Sequence, residues 1–381
     1  MSVVHIALVG GQTMPVYLAI RESRAESFIL LHSSSTKSAA DIMAADIKQD
    51  IGKPVELIEL DPIDCFGVIP KLDELLCRNE CNEVEFNISS GTKPWSIAVA
   101  MLSEKYQNLE LLYVDQSCRI YNYHDSSTKE SVPMHIADIF KFNQTRVQDF
   151  TQFSDYTGED LDLLPEVKKV REKYPEQFNA VTIPTKQNRN MFTYNRLGRV
   201  CDQNTYSEIT WDKNKDGRQY VNLYMVARNG RHETFEFMSP HAFNMITSSG
   251  WFEYEIASWL SSWSACREVW MNVVFPYNNR NPKNEIDIIA NVGNKLLFVE
   301  CKTQVFDYTD IDKFTSAVKN YGGLGAKAIF ITQENMKAQA IEKCDTNKIA
   351  HYSLLDAKRC PRGKKALFKM LNDIMSENNA R

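Results

Sequence analysis

The chain lacks any long apolar run: among its 381 residues no stretch approaches the roughly eighteen consecutive apolar side chains needed to span a bilayer. It also lacks the basic region and small-residue cleavage site of a secretory leader, entering an apolar stretch at once with Val3-Val4-His5-Ile6-Ala7-Leu8-Val9. A soluble, cytoplasmic protein with no membrane partner is expected. Nine cysteines, an odd number at irregular spacings, exclude a disulfide framework in a chain of this size. Cys77 and Cys81, the one close pair, read as core thiols on a helix, and no zinc site is expected. Positive charge is not in excess. A formal net charge of -5 excludes a generally basic nucleic-acid binder, so any such contact must come from local patches. No G-x-S-x-G, H-E-x-x-H or G-x-G-x-x-G pattern occurs, which removes the serine-hydrolase, zinc-protease and dinucleotide-fingerprint readings.

What is present is length for two or three domains, with 43% hydrophobic and 24% charged residues. The densest chemistry lies in Asn284-Glu285-Ile286-Asp287-Ile288-Ile289-Ala290 and Leu296-Leu297-Phe298-Val299-Glu300-Cys301-Lys302. Side chains alternate across a strand, so Glu285 and Asp287 share one face of the first and Glu300 and Lys302 one face of the second. Asn291-Val292-Gly293-Asn294 has the content of a hairpin turn, which sets Asp287 beside Glu300 as ligands for a hard divalent cation, Mg²⁺ or Mn²⁺, with Lys302 adjacent. Phe298 and Ile289 intrude on the polar faces, the mark of a central strand buried on both sides. Charges on such a strand need a partner, and a metal serves.

This segment resembles the PD-(D/E)XK nuclease superfamily, with Asp287 as the lone acid and Glu300-Cys301-Lys302 as the E-x-K. The resemblance implies catalytic roles for Glu253, Asp287, Glu300 and Lys302. It implies metal contacts from Asp287, Glu300 and the Cys301 carbonyl. Glu253 is the candidate helix acid, in Gly250-Trp251-Phe252-Glu253, which opens an apolar helical segment running to about Trp263. Tyr254 departs from the pattern, since a second acid is expected there.

The first 140 residues alternate apolar strands (Val4 to Val9, Phe28 to Leu31, Val55 to Leu60, Val84 to Ile88, Leu109 to Val114) with stretches of helical period, the pattern of a parallel doubly wound sheet. Ligands in such sheets bind where the strand order reverses, here between the first and fourth strands. Those strands lead into Gly10-Gly11-Gln12-Thr13-Met14-Pro15 and Ser89-Ser90-Gly91-Thr92-Lys93-Pro94. Each loop feeds a helix that begins near a proline, so free N–H groups and the helix dipole favour an anion. Gly91-Thr92-Lys93 followed by Pro94 is not a P-loop.

Residues 1–142, through this sheet pattern and the Gly11-Gln12-Thr13 and Asn87-Ile88-Ser89-Ser90-Gly91-Thr92-Lys93 segments, resemble the CARF domains, Rossmann-like modules that bind cyclic oligoadenylates across a dimer two-fold. The implied ligand residues are Gly11, Gln12, Thr13, Ser90, Gly91, Thr92 and Lys93. Joined to residues 246–381 as a restriction-endonuclease-like α/β domain, the whole resembles the ancillary nucleases of type III CRISPR systems. That likeness implies a homodimer, cyclic tetra-adenylate as activator, and cleavage of DNA and single-stranded RNA with little sequence specificity.

Residues 143–245 support two readings, a connector or a small winged-helix-like module. Phe150 to Tyr156 and Gly158-Glu159-Asp160 read as linker, Leu164 to Tyr174 as a charged helix, and Tyr220 to Val226 with His232 to Met238 as a hairpin. The second reading sustains a rival function, a nucleotide-responsive DNA-binding transcriptional regulator. Two basic patches occur. Lys186, Arg189, Arg196 and Arg199 are interleaved with Phe192 and Tyr194, and Lys358, Arg359, Arg362, Lys364, Lys365 and Lys369 lie near the end.

Overall fold

The computed structural model describes residues 2–64, 66–276, 284–303, 308–323 and 325–376. The polar loop expected over Tyr277 to Lys283 lies outside them.

At the amino end, parallel strands β1 (Val3–Val9), β2 (Ser27–His32), β3 (Val55–Glu59), β4 (Glu83–Asn87) and β5 (Leu109–Val114) are followed by antiparallel β6 (Arg119–Asn122) and β7 (Ser127–Glu130). Their order is β3-β2-β1-β4-β5-β6-β7, so the reversal falls between the first and fourth strands, as the sequence predicts. Helices α1 (Met14–Glu22), α2 (Lys37–Asp46), α3 (Val68–Arg78), α4 (Lys93–Ser103) and α5 (Ile136–Phe142) complete the unit. Both faces of β1 are covered: Ile6 and Leu8 pack with Leu72, Leu76 and Trp95, whereas Ala7 and Val9 pack with Met14 and Phe142. This is why the strand reads as a continuous apolar run. Cys77 and Cys81 are not core thiols; both are exposed, because α3 turns its other side to the sheet and ends at Arg78.

The next segment is no linker at its start. Residues Asp149–Gln152 form β8, the edge of a second large sheet, and Gly158 opens α6 (Gly158–Lys173). The partner strand of β8 lies more than a hundred residues away, which local sequence reading does not reveal. Phe150 stacks on Trp270 of that partner with ring centroids 3.6 Å apart. Helices α7 (Pro175–Thr182) and α8 (Arg189–Tyr194) precede an antiparallel meander of β9 (Leu197–Cys201), β10 (Glu208–Lys215), β11 (Arg218–Val226) and β12 (His232–Ser239), closed by α9 (Ala242–Ile246). The expected hairpin is the last pair of this meander.

The carboxy-terminal domain contains α10 (Gly250–Ser261), β13 (Glu268–Phe275), β14 (Asn284–Val292), β15 (Lys295–Lys302), α11 (Thr309–Tyr321), β16 (Lys327–Thr332), α12 (Ala338–Thr346), β17 (Ala350–Ser353) and α13 (Lys364–Ser376). Its sheet runs β17-β16-β15-β14-β13-β8, antiparallel up to β15 and parallel beyond. β15 is central, and its residues Lys295 to Val299 are buried, as Phe298 and Ile289 indicate from sequence.

One apolar cluster runs without interruption from Ala7, Val9 and Phe28 through Phe140 of α5 to Trp270, Phe275, Phe298 and Phe330. Phe140 meets Phe275 edge-on at 5.5 Å and Trp270 at 6.0 Å. The two sheets therefore share an interior, and the chain is expected to melt in a single calorimetric transition. Phe140→Ala should remove about 3–5 kcal/mol of stability and lower that transition as a unit. Two separate transitions in the wild type would contradict the shared core.

Candidate functional site

The hairpin expected from sequence forms, with Gly293 and Asn294 at its turn, both at positive φ (61° and 64°). Ile288 faces Val299, so Asp287 and Glu300 stand next in register. The Cys301 N–H donates to Asp287 Oδ2 at 2.7 Å. Lys302 Nζ lies 2.6 Å from Glu300 Oε1 and 3.7 Å from Asp287 Oδ2, a single ammonium between two carboxylates. Glu253 joins them from the first turn of α10, where Gly250 is obligatory because a Cβ there would sit 1.9 Å from the Asn244 carbonyl oxygen.

Simple alternation does not hold along the whole hairpin. Trp270, Val273, Phe275, Ile286 and Ile289 pack in one cluster and Met271 and Ile288 in the other, so the two-residue rhythm breaks at Asn272 and Asp287. Asn272 has φ 53° in mid-strand, and the pairing of β13 with β8 shifts at the same place. Backbone strain of this kind collects at functional sites.

Electrostatics set the four groups apart from ordinary surface charges. Burial pushes the Glu253 carboxyl well up, reinforced by Asp287. It raises Asp287 too, against the pull of Lys302 and the Cys301 N–H. Burial and the Asp287 charge push Glu300 up to about 8. Lys302 is held in its charged form by Asp287 and Glu300, which outweigh its own desolvation. Three carboxylates and one ammonium leave two negative charges uncompensated when all are ionised. A divalent cation fits that deficit. Among the described residues no three of His, Cys, Asp and Glu are grouped to hold a metal by themselves. Any ion here would therefore need water, a main-chain oxygen or substrate phosphate to complete its shell.

Two openings reach the cluster. One, of about 190 Å³, is lined by Glu285, Glu300, Asp310 and Lys313. The other, of about 530 Å³, runs between α10, β8 and β13 and is lined by Glu253, Glu285, Asn272, Asn244, Phe150 and Tyr156, among others. Asp310, at the start of α11, was missed from sequence although its charge bears on Asp287 and Glu300. An acid opening the helix after an E-x-K strand was the available signal. Tyr254, where an acid was expected, is buried against Phe153 and Tyr156 and lies outside the polar cluster.

In the amino-terminal domain the two expected ligand loops meet. The Gly10 N–H donates to Ser90 Oγ at 3.1 Å, and Ser90 Oγ donates to the Gln12 carbonyl at 2.7 Å. A Cβ on Gly10 would lie 2.5 Å from Gly91 N, and Gly91 itself has φ 82°. Gly11, Gln12, Gly91 and Lys93 are exposed at the mouth. Among the described residues the Thr92 hydroxyl is buried without a hydrogen-bond partner. Thr13 points the other way: its hydroxyl donates to the Phe142 carbonyl at 2.5 Å, so its side chain is structural.

Part of each basic patch is engaged within the protein. Arg196 pairs with Asp212, Arg199 with Glu208 and Arg359 with Glu334, Arg362 lies over the Tyr352 ring, and Phe192 is buried against Trp211. No helix among the described residues is long and apolar enough to cross a membrane.

Residues 4–138 match the model of the Card1 CARF domain. The fold is similar to that of Can2 from Sulfobacillus thermosulfidooxidans, solved in complex with cyclic tetra-adenylate, at 17% identity and a TM-score of 0.65, covering 98% of this chain and all of that one. It is also similar to protein VC1899 from Vibrio cholerae, at 15% identity and a TM-score of 0.71, covering 99% of both. A type III CRISPR defence DNA nuclease activated by cyclic oligoadenylate aligns at 18% identity and a TM-score of 0.53, over 89% of this chain and 46% of that one. No curated protein sequence matches. The chain thus carries a CARF domain, matched over residues 4–138, joined to a further α/β domain.

Proposed function

We propose that this protein is a metal-dependent nuclease of type III CRISPR immunity, activated by cyclic tetra-adenylate, that cleaves or nicks DNA and takes single-stranded RNA as a further substrate. The observation that carries the reading is the Asp287–Lys302–Glu300 arrangement on a central buried hairpin, in the same chain as a CARF domain. The relatives of similar fold include a cyclic tetra-adenylate complex and a cyclic oligoadenylate-activated DNA nuclease, which supports the pairing of sensor and blade.

Asp287, Glu300 and the Cys301 carbonyl would hold Mg²⁺ or Mn²⁺. When bound, the ion supplies an acidified water and charge neutralisation at the scissile phosphate. Lys302 orients the attacking water or stabilises charge developing on the phosphate, and Glu253 holds a water at the edge of the site. None of these groups selects a base, so cleavage has little sequence preference. Activity of that kind needs restraint, which the CARF domain provides. In the dimer, Gly11, Gln12, Gly91, Thr92 and Lys93 from two protomers surround one ring of phosphates. Ile97 and Met101, one turn apart on the outer face of α4 and 59% and 62% exposed, suit the two-fold contact.

Cleavage of single-stranded DNA, supercoiled DNA and RNA with Mn²⁺ should require cyclic tetra-adenylate and fall by roughly 10²–10³-fold in Lys302→Ala, the effect of deleting one preorganised electrostatic contact. Ring-independent cleavage, or cleavage that survives the substitution, would overturn the reading; ring-responsive operator binding without cleavage would favour a transcriptional regulator. The double variant Ile97→Glu/Met101→Glu should run as a monomer in light scattering and lose ring binding.

Acidity supplies a further test. Glu300 holds its proton more tightly folded than unfolded, so its contribution to metal-free stability is intact below pH 4.5 and is lost as pH rises towards about 8. A divalent cation needs the carboxylate form, so its stabilising effect grows across the same window. The Mn²⁺-induced rise in melting temperature should be larger at pH 8 than at pH 6. Glu300→Gln should abolish that difference.

A further inference from the structure

The two halves meet along several segments, among them the turn before β6, where Ser117 and Cys118 reach Lys295 and Asn294, and helix α5 with the residues that lead into it. Helix α5, about 10 Å long by its residue count, is fixed at its carboxy end to the Gly10–Thr13 loop, where Thr13 Oγ1 donates to the Phe142 carbonyl and the Tyr17 ring stacks on Phe142 at 4.4 Å. Its amino end is fixed to the catalytic hairpin. Asn294, 3% exposed, accepts from the Met134 N–H at 2.8 Å and donates to Ser131 Oγ and the Val132 carbonyl, both at 2.9 Å. Asn291, fully buried, donates to the Met134 carbonyl at 2.6 Å. Glu268 of β13 accepts from the Ile136 N–H at 2.7 Å, capping the helix from the opposite domain. Between these ends, Phe140 is wedged against Trp270 and Phe275.

Asn291 and Asn294 form the tip of the same hairpin whose other end bears Asp287 and Glu300. Paired strands transmit displacement because slipping them breaks a whole ladder of bonds. Thr13 likewise cannot stay behind when its loop moves, since its carbonyl starts α1 and accepts from Val16 and Tyr17.

We propose that α5 is the strut that relays ring binding to the catalytic hairpin, with Thr13 and Asn294 as positioning residues at its two ends. The inference rests on the reading of the chain as a ring-activated nuclease and names the route of its regulation. Neither residue touches the reacting phosphate. Thr13 answers to displacement of Gly11 and Gln12, and Asn294 sets the height of the hairpin and hence the spacing of Asp287, Glu300 and Lys302. The relay needs no domain separation, because packed interiors have discrete arrangements rather than continuous deformability.

Hydrogen exchange on the full chain, with ring binding measured by calorimetry, reads this without recourse to catalysis. In the wild type, cyclic tetra-adenylate should change protection both at residues 10–13 and 89–93 and at residues 284–302. Asn294→Asp, which keeps the acceptor for Met134 and loses both donors, should still bind the ring. Its response at residues 284–302 should be lost, and its ring-dependent activation should fall at least about fivefold, the lower end of ordinary coupling. Thr13→Val should lose the same distal response and Thr13→Ser should restore it. Leu371→Ala, which weakens the opposite face of the sheet, should lower the melting temperature and retain the response. A wild-type distal response in both Asn294→Asp and Thr13→Val would overturn the relay. A wild type that binds the ring and responds at the hairpin but cleaves nothing would leave the relay standing and end the nuclease reading. A wild type that binds no ring would end both.

Discussion

The structure depends on holding three carboxylates and an ammonium together in a site only partly open to water. Glu253, Asp287 and Glu300 surround Lys302 on a hairpin walled by apolar side chains, and burial alone would drive the acids to neutrality. The scaffold answers with a central strand, a main-chain N–H donated to Asp287, and a helix start placed beside the cluster. It tolerates a left-handed residue in mid-strand at Asn272, where the sheet must change which side chains it turns to each face. Desolvated charge is costly without a partner and potent with one, which is why the same four residues are poor material for stability and good material for chemistry.

Much of this was legible in the chain because it is written locally. The parallel strands announce themselves as apolar runs, their reversal follows from their number and order, and the hairpin is spelled by acids, a lysine and a Gly-Asn turn within twenty residues. Helix boundaries near Pro15 and Pro94 were equally plain. What stayed hidden is what distance supplies. β8 reads as linker because its partner β13 comes more than a hundred residues later. Thr13 reads as a ligand contact because Phe142, which takes its hydroxyl, is far along the chain. Asp310 was visible as an acid and not as a neighbour of Glu300. Strict alternation also missed the change of rhythm between Ile286 and Ile288, since such a break leaves no mark in composition.

The polar contacts between the halves follow a similar logic. Asn291 ends its strand beside the turn, and Asn294 supplies, with Gly293, the positive φ that the hairpin needs. Their side chains have a second occupation, satisfying main-chain groups at the end of the CARF domain that would otherwise be buried and unpaired. One short sequence thus closes the hairpin and joins the domains.

The uninterrupted apolar interior has a consequence for how such a protein can fail. A carboxy-terminal fragment, released by an internal start or by proteolysis, would carry Trp270, Phe275, Phe298 and Phe330 with the side chains that cover them removed. Such a piece aggregates or is degraded sooner than it adopts a working shape. The carboxy-terminal domain is thereby tied to the presence of the amino-terminal one, and the tie lies in packing alone.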